Sequence, residues 1–146
     1  MTDMDLEDRT TATGLWMYAD TYRRAAKHLA ETTELRFSAP IYFLYSHAIE
    51  LVLKAYLRAH GATLDDLRRF GHRLPGLLRR VHSRGLDLGA SAEKASGLIA
   101  MLDLYNQNHE FRYIVTGFKT VPELKPLQAV AERVLAATRD VACKLT

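Results

Sequence analysis

The sequence predicts an all-α protein, an up-and-down bundle of four to five helices joined by short turns, and three observations carry that expectation. Apolar residues recur at spacings of three and four through most of the chain, as they do on helices with one inward face. Pro40 and Pro75 fall where helices would start, and Gly61 and Gly85 where they would stop. No stretch sustains the alternation of a half-buried strand. Short connections between such helices make antiparallel neighbours the natural topology.

Taken in order, residues 1–12 read as a disordered acidic lead-in, and 13–146 as a single helical-bundle domain. A first helix from about Thr13 to Glu34 would turn Leu15, Tyr18, Ala19, Tyr22, Ala25, Ala26 and Leu29 inward. Ser38, with Pro40 in the first turn, opens the central helix, which Gly61 closes. This central stretch is the longest apolar helical pattern: Ile41, Tyr45, Ala48, Ile49, Val52, Leu53, Tyr56 and Leu57 cover more than half its circumference. One narrow polar stripe remains on it, His47, Glu50, Lys54 and Arg58. Thr63 caps a short helical turn, with Asp66 as a capping-box acid. Gly71 breaks the chain before His72, and a third helix follows from Leu74 to Gly85, with Pro75 in its first turn and Leu74, Leu77, Leu78 and Val81 inside. Ser91 caps a fourth helix, from Ala92 to Asn106, with Ala95, Leu98, Ile99, Leu102 and Tyr105 as its stripe. The segment from Asn106 to Phe118 reads as a helix end and an irregular loop, because Tyr113 to Thr116 favour extended backbone. A final helix starts between Pro122 and Pro126 and runs to Lys144, with Leu127, Val130, Val134, Leu135, Thr138, Val141 and Leu145 inward.

With 146 residues, 48% of them hydrophobic and 25% charged, the chain suits one globular domain with a sizeable core. No apolar run approaches the roughly 20 residues of a membrane helix, and the acidic N-terminus differs from an export signal, so the expectation is a cytoplasmic protein with no membrane contact. Cys143 is the single cysteine, which rules out an internal disulfide and suits a half-buried helix position. The histidines, at 28, 47, 60, 72, 82 and 109, show no metal-ligand spacing, and no phosphate-binding glycine loop is present. No metal and no cofactor is therefore expected. Charge is uneven: Arg68, Arg69, Arg73, Arg79, Arg80 and Arg84 fall in a window without a single acid. Taking those six from the net +3 leaves −3 on the rest, so the basicity is local.

The stretches HAIELVLKAYL at 47–57 and GHRLPGLL at 71–78, with the Asn, His, Arg and Tyr cluster at 106–113, resemble the HEPN superfamily of helical bundles. The resemblance covers roughly residues 15–145. It implies a bundle of four or five helices, a homodimer, binding of RNA or a nucleotide, and association with toxin–antitoxin systems or with a minimal nucleotidyltransferase partner. Nucleases of the family carry an Arg, four to six residues, then a His late in the bundle. Here the one such match, Arg23 with His28, lies in the first helix, where five residues turn the side chains about 140° apart. At the expected place stand Asn108, His109 and Arg112, with the order of His and Arg reversed. Nuclease activity of the family type is accordingly not expected.

The candidate ligand-binding residues are Asn108, His109, Arg112 and Tyr113, joined by His72, Glu50, Lys54 and His47. Arginine offers a planar fork to phosphate or carboxylate, Asn and Tyr offer hydrogen bonds, and His109 is the candidate for acid–base catalysis. Each has a structural alternative. The cluster at 108–113 would satisfy the carbonyls of a helix end, His72 would anchor a turn, and the Glu50–Lys54 pair would be a solvated i,i+4 contact. The six arginines would contact RNA or form a solvated basic face. Three functions follow: a nucleotide- or RNA-binding domain, a homodimeric interaction module with a buried polar network, or a divergent metal-independent ribonuclease using His109.

Overall fold

The computed structural model describes residues 3–32, 38–107 and 123–144, and all the regular structure among them is helical. Seven α-helices follow one another: α1 (Asp3–Arg9), α2 (Ala12–Thr32), α3 (Ala39–Ala59), α4 (Leu64–Phe70), α5 (Leu74–Ser83), α6 (Ala92–Gln107) and α7 (Leu124–Cys143). A 3-10 turn, Gly89–Ser91, leads into α6. The all-helical bundle expected from the sequence is the architecture observed.

The central helix α3 is the axis. All eight apolar residues assigned to its interior are buried, each at most 5% exposed. Burying a side chain such as Ile49 or Leu53 contributes about 1.5–3 kcal/mol relative to leaving it in water. Against α3 lies α2, antiparallel: Ala12 near its start clusters with Ala55, and Tyr22 meets the His47 ring at 4.6 Å. Ala19 and Ala26 are fully buried, and their small side chains let the two helices approach. α7 also runs antiparallel to α2. Thr13 Oγ1 donates to the Ala142 carbonyl, and Trp16 Nε1 to that of Leu135 at 3.1 Å. α5 packs on α3, and α6 turns back beside α5.

Local chemistry sets the element ends. Gly61 (φ +93°) and Gly85 (φ +98°) follow the last turns of α3 and α5 in the left-handed region. In both cases the next residue closes the cap, Ala62 N–H to the Leu57 carbonyl and Leu86 N–H to that of Val81. The Thr63–Asp66 capping box forms in full at the start of α4. Ser38 stands at the N-cap of α3, but its side chain makes no capping hydrogen bond.

Four expectations need revision. In place of a disordered lead-in, Asp3–Arg9 is helical, because Arg58 of α3 anchors it through Glu7 and the Thr10 carbonyl. Tyr18 is 67% exposed and Ala25 is exposed, because α2 sits rotated so that Ala12, Ala19 and Ala26, seven residues apart, form its innermost seam. Val141 is 39% exposed and Ala142 takes the inner place. Asp103, left out of the α6 stripe, is 4% exposed. Leu145 and the irregular segment expected beyond Gln107 lie outside the described residues.

Candidate functional site

The polar stripe of α3 is covered along its length, not solvated. Glu50 is 5% exposed, and its carboxylate takes two partners: Lys54 Nζ at 3.2 Å and His72 Nδ1 at 2.7 Å. A carboxylate only accepts, so beside an ionised Glu50 it is Nδ1 of His72 that carries the donated proton. His47 packs edge-on to Tyr22 and stacks with Phe43. Arg58 donates to the Glu7 carboxylate and to the carbonyls of Glu7, Thr10 and Ala62. Glu7 in turn accepts from Leu64 N–H at the head of α4.

His72 belongs to the three-residue corner between α4 and α5. Gly71 enters that corner with φ +56°, and at its far end Leu74 N–H donates to Asp103 Oδ1 at 3.2 Å. Two buried carboxylates, Glu50 of α3 and Asp103 of α6, therefore grip one corner from two helices. Among the described residues every buried side-chain nitrogen or oxygen has a hydrogen-bond partner. Bonds of this kind to charged groups contribute about 1.5–3 kcal/mol each, so the corner is a fixed joint.

That joint orients the basic window. Arg69 of α4, Arg80 of α5 and Arg84 beyond it converge with His60 on a cleft of about 440 Å³ at the end of α3. Arg80 and Arg84, four residues apart, share one face. Leu57 and Phe70 supply an apolar wall, and the His60 ring rests against Tyr56 at 4.6 Å. Asp66 is the cleft's one acid. Its hydrogen bonds with Thr63 hold its carboxyl below the usual aspartate range, and the charges of Arg69 and Arg80 act in the same direction. The remaining arginines of the window do not line the cleft: Arg68 pairs with Asp65 at 3.5 Å, the Arg79 guanidinium lies beside Gly76, and Arg73 precedes α5 at the corner.

The structure thus brings Glu50, Lys54 and His72 together, sets His47 among aromatics, and divides the six arginines into three at the cleft and three elsewhere. Asn108, His109, Arg112 and Tyr113 lie outside the described residues. Arg23 pairs with Asp20 and Glu132, and His28 is exposed. Sequence reasoning missed His60 and Asp103. The signal for His60 was its place one residue before the capping Gly61, at the end of the most buried helix. Asp103 gave no signal, since its partner is a backbone amide 29 residues away.

Among the described residues no group of His, Cys, Asp and Glu could hold a metal ion, and no helix is long and apolar enough to cross a membrane. Burial pushes the half-buried Cys143 thiol upward, which disfavours the thiolate a nucleophile would need. The chain matches no family model, no curated protein and no solved structure.

Proposed function

We propose that this chain is a HEPN-like helical-bundle domain that binds RNA or a nucleotide by its phosphate and does not cleave it. The observation that supports this most is the convergence of Arg69, Arg80, Arg84 and His60 on one cleft, with an apolar wall beside them. Guanidinium groups are the side chains best suited to phosphate, since their planar forks pair two donors with two oxygens. Asn108, His109, Arg112 and Tyr113, which follow α6 in the chain, are the further ligand contacts of this reading. A cytoplasmic homodimer that accompanies a nucleotidyltransferase, in the manner of a toxin–antitoxin pair, completes it.

Anisotropy of a labelled single-stranded oligoribonucleotide, titrated from low to high salt, tests the proposal. Three arginine contacts give a slope of log affinity on log salt near about −2 for a single strand. Arg80→Gln with Arg84→Gln should flatten that slope to about −0.7, the value for one contact. No binding at low salt, or a slope unchanged in the double variant, would sink the reading.

The fully satisfied pairing of Glu50 with His72 and Lys54 favours a second reading, in which the polar centre is structural and the chain is a homodimeric interaction module. In that case Arg112→Ala lowers the melting temperature with no ligand affinity to lose. Ribonuclease activity through His109 is the third reading, and equal RNA turnover by the wild-type and His109→Ala chains removes it.

A further inference from the structure

We infer that the cleft is selective for a terminal phosphomonoester on a nucleoside, whether the 5′ end of an RNA strand or a free mononucleotide, over the internal phosphodiesters of a strand. The inference rests on the phosphate-binding reading above and narrows its ligand.

Charge is the first ground. Three arginines, Arg69, Arg80 and Arg84, set against the one carboxylate of Asp66 leave an excess of two positive charges among these side chains. A phosphomonoester carries about −1.5 to −2 at pH 7, because its second ionisation lies near pH 6. An internal diester carries one negative charge, and matches the cleft half as well.

Arrangement is the second ground. A groove for a strand tracks the backbone with cations along its length. Here Arg68 is turned to Asp65, Arg79 lies beside Gly76, Arg73 precedes α5 at the corner, and Arg69, Arg80 and Arg84 converge on one open cleft of about 440 Å³. That volume falls in the range of small-ligand pockets, roughly 300–1,000 Å³.

The lining is mixed in chemistry, which is the third ground. Half-buried Phe70 lines the cleft together with the arginines and offers a base ring an apolar surface. Asp66 lies on the same lining, with Oδ2 accepting from Thr63 N–H at 2.8 Å and Oδ1 4.0 Å from Arg69. A carboxylate there repels a second phosphate and accepts a ribose hydroxyl.

The test compares two labelled decaribonucleotides, one with a 5′-phosphate and one with a 5′-hydroxyl, against the full chain at low salt, with AMP and adenosine as competitors. The 5′-phosphate should raise affinity about tenfold at pH 7.5 and lose that advantage as the pH falls below about 6. Arg80→Gln with Arg84→Gln, both at exposed positions, should abolish the preference while circular dichroism confirms the fold. Displacement by AMP but not adenosine supports the mononucleotide as ligand, and displacement by phosphorylated strands alone supports the RNA end. Equal affinity for the two strands overturns the inference and leaves phosphate binding standing, as does a preference that survives in the double variant. Binding of neither strand overturns both.

Discussion

Replacing His72 by alanine removes the shorter of the two bonds on the buried Glu50 carboxylate, the 2.7 Å contact, and leaves Lys54 at 3.2 Å. A hydrogen bond to a charged group contributes about 1.5–3 kcal/mol. The cost of roughly 3–5 kcal/mol for stripping a buried ion pair of its partner is an upper bound that does not apply, since Lys54 stays. The His72 side chain is 42% exposed, so its removal also lets water reach the carboxylate. The expected loss is therefore about 2 kcal/mol, or about 4–8 °C in melting temperature for a chain of this size. Urea unfolding followed by circular dichroism measures it, with the m-value unchanged. A cycle with Glu50→Gln isolates the pair: His72→Ala should cost clearly less beside the neutral amide, with a coupling above about 0.5 kcal/mol. A loss below about 0.5 kcal/mol, the range of ordinary surface substitutions, or strict additivity in the cycle, would refute the claim that Glu50 holds the corner through His72.

Other outcomes follow from the same contacts. Arg58→Ala removes its four hydrogen bonds to Glu7, Thr10 and Ala62, leaving the bond from Leu64 N–H to Glu7 without the guanidinium that positions Glu7. Hydrogen exchange should speed up across residues 3–10 and at the Leu64 amide, and unchanged exchange there would mean that α1 is held by something else. Asp66 has a depressed folded-state pKa, so its contribution to stability is present above the unfolded value near 3.9 and is lost as the pH falls through the lower folded value. Thr63→Ala should move the Asp66 carboxyl titration, followed by carbon NMR, upward toward its ordinary 3.8, and an unmoved titration would contradict the capping box as the cause. Ala26→Leu forces a larger side chain into the fully buried α2–α3 seam and should cost about 1–3 kcal/mol in urea unfolding, whereas a neutral result would place a void there.

The parts of this fold that were legible in the sequence are those governed by local rules. The burial of α3 followed from periodicity alone, because its apolar face is too wide to be served by one neighbour. The Thr63–Asp66 box, and the caps at Gly61 and Gly85, followed from short-range backbone chemistry. The polar stripe on a wrapped helix left Glu50 and Lys54 to face either His72 or the cluster at 108–113, and the contact with His72 is observed. Long-range matters were not legible. The docking of α1 depends on Glu7 meeting Arg58, 51 residues on, and the acidic run around it reads as a solvated tail. The outward Tyr18 and the Trp16 bond to Leu135 depend on the phase of α2 against α7, which several apolar patterns along one helix satisfy equally. The basic window gave six arginines but no way to separate Arg69, Arg80 and Arg84 from the rest, because that choice depends on how α4 and α5 meet across the 71–73 corner.

The most direct measurement is an amide chemical-shift map of the labelled chain titrated with AMP. If the cleft is the phosphate site, the amides of Gly61, Arg69, Phe70, Arg80 and Arg84 shift together along one saturating curve, and those shifts vanish in the Arg80→Gln, Arg84→Gln variant. Shifts confined to residues remote from the α3–α4–α5 corner, or no shifts at millimolar AMP, would contradict the assignment of phosphate binding to these arginines.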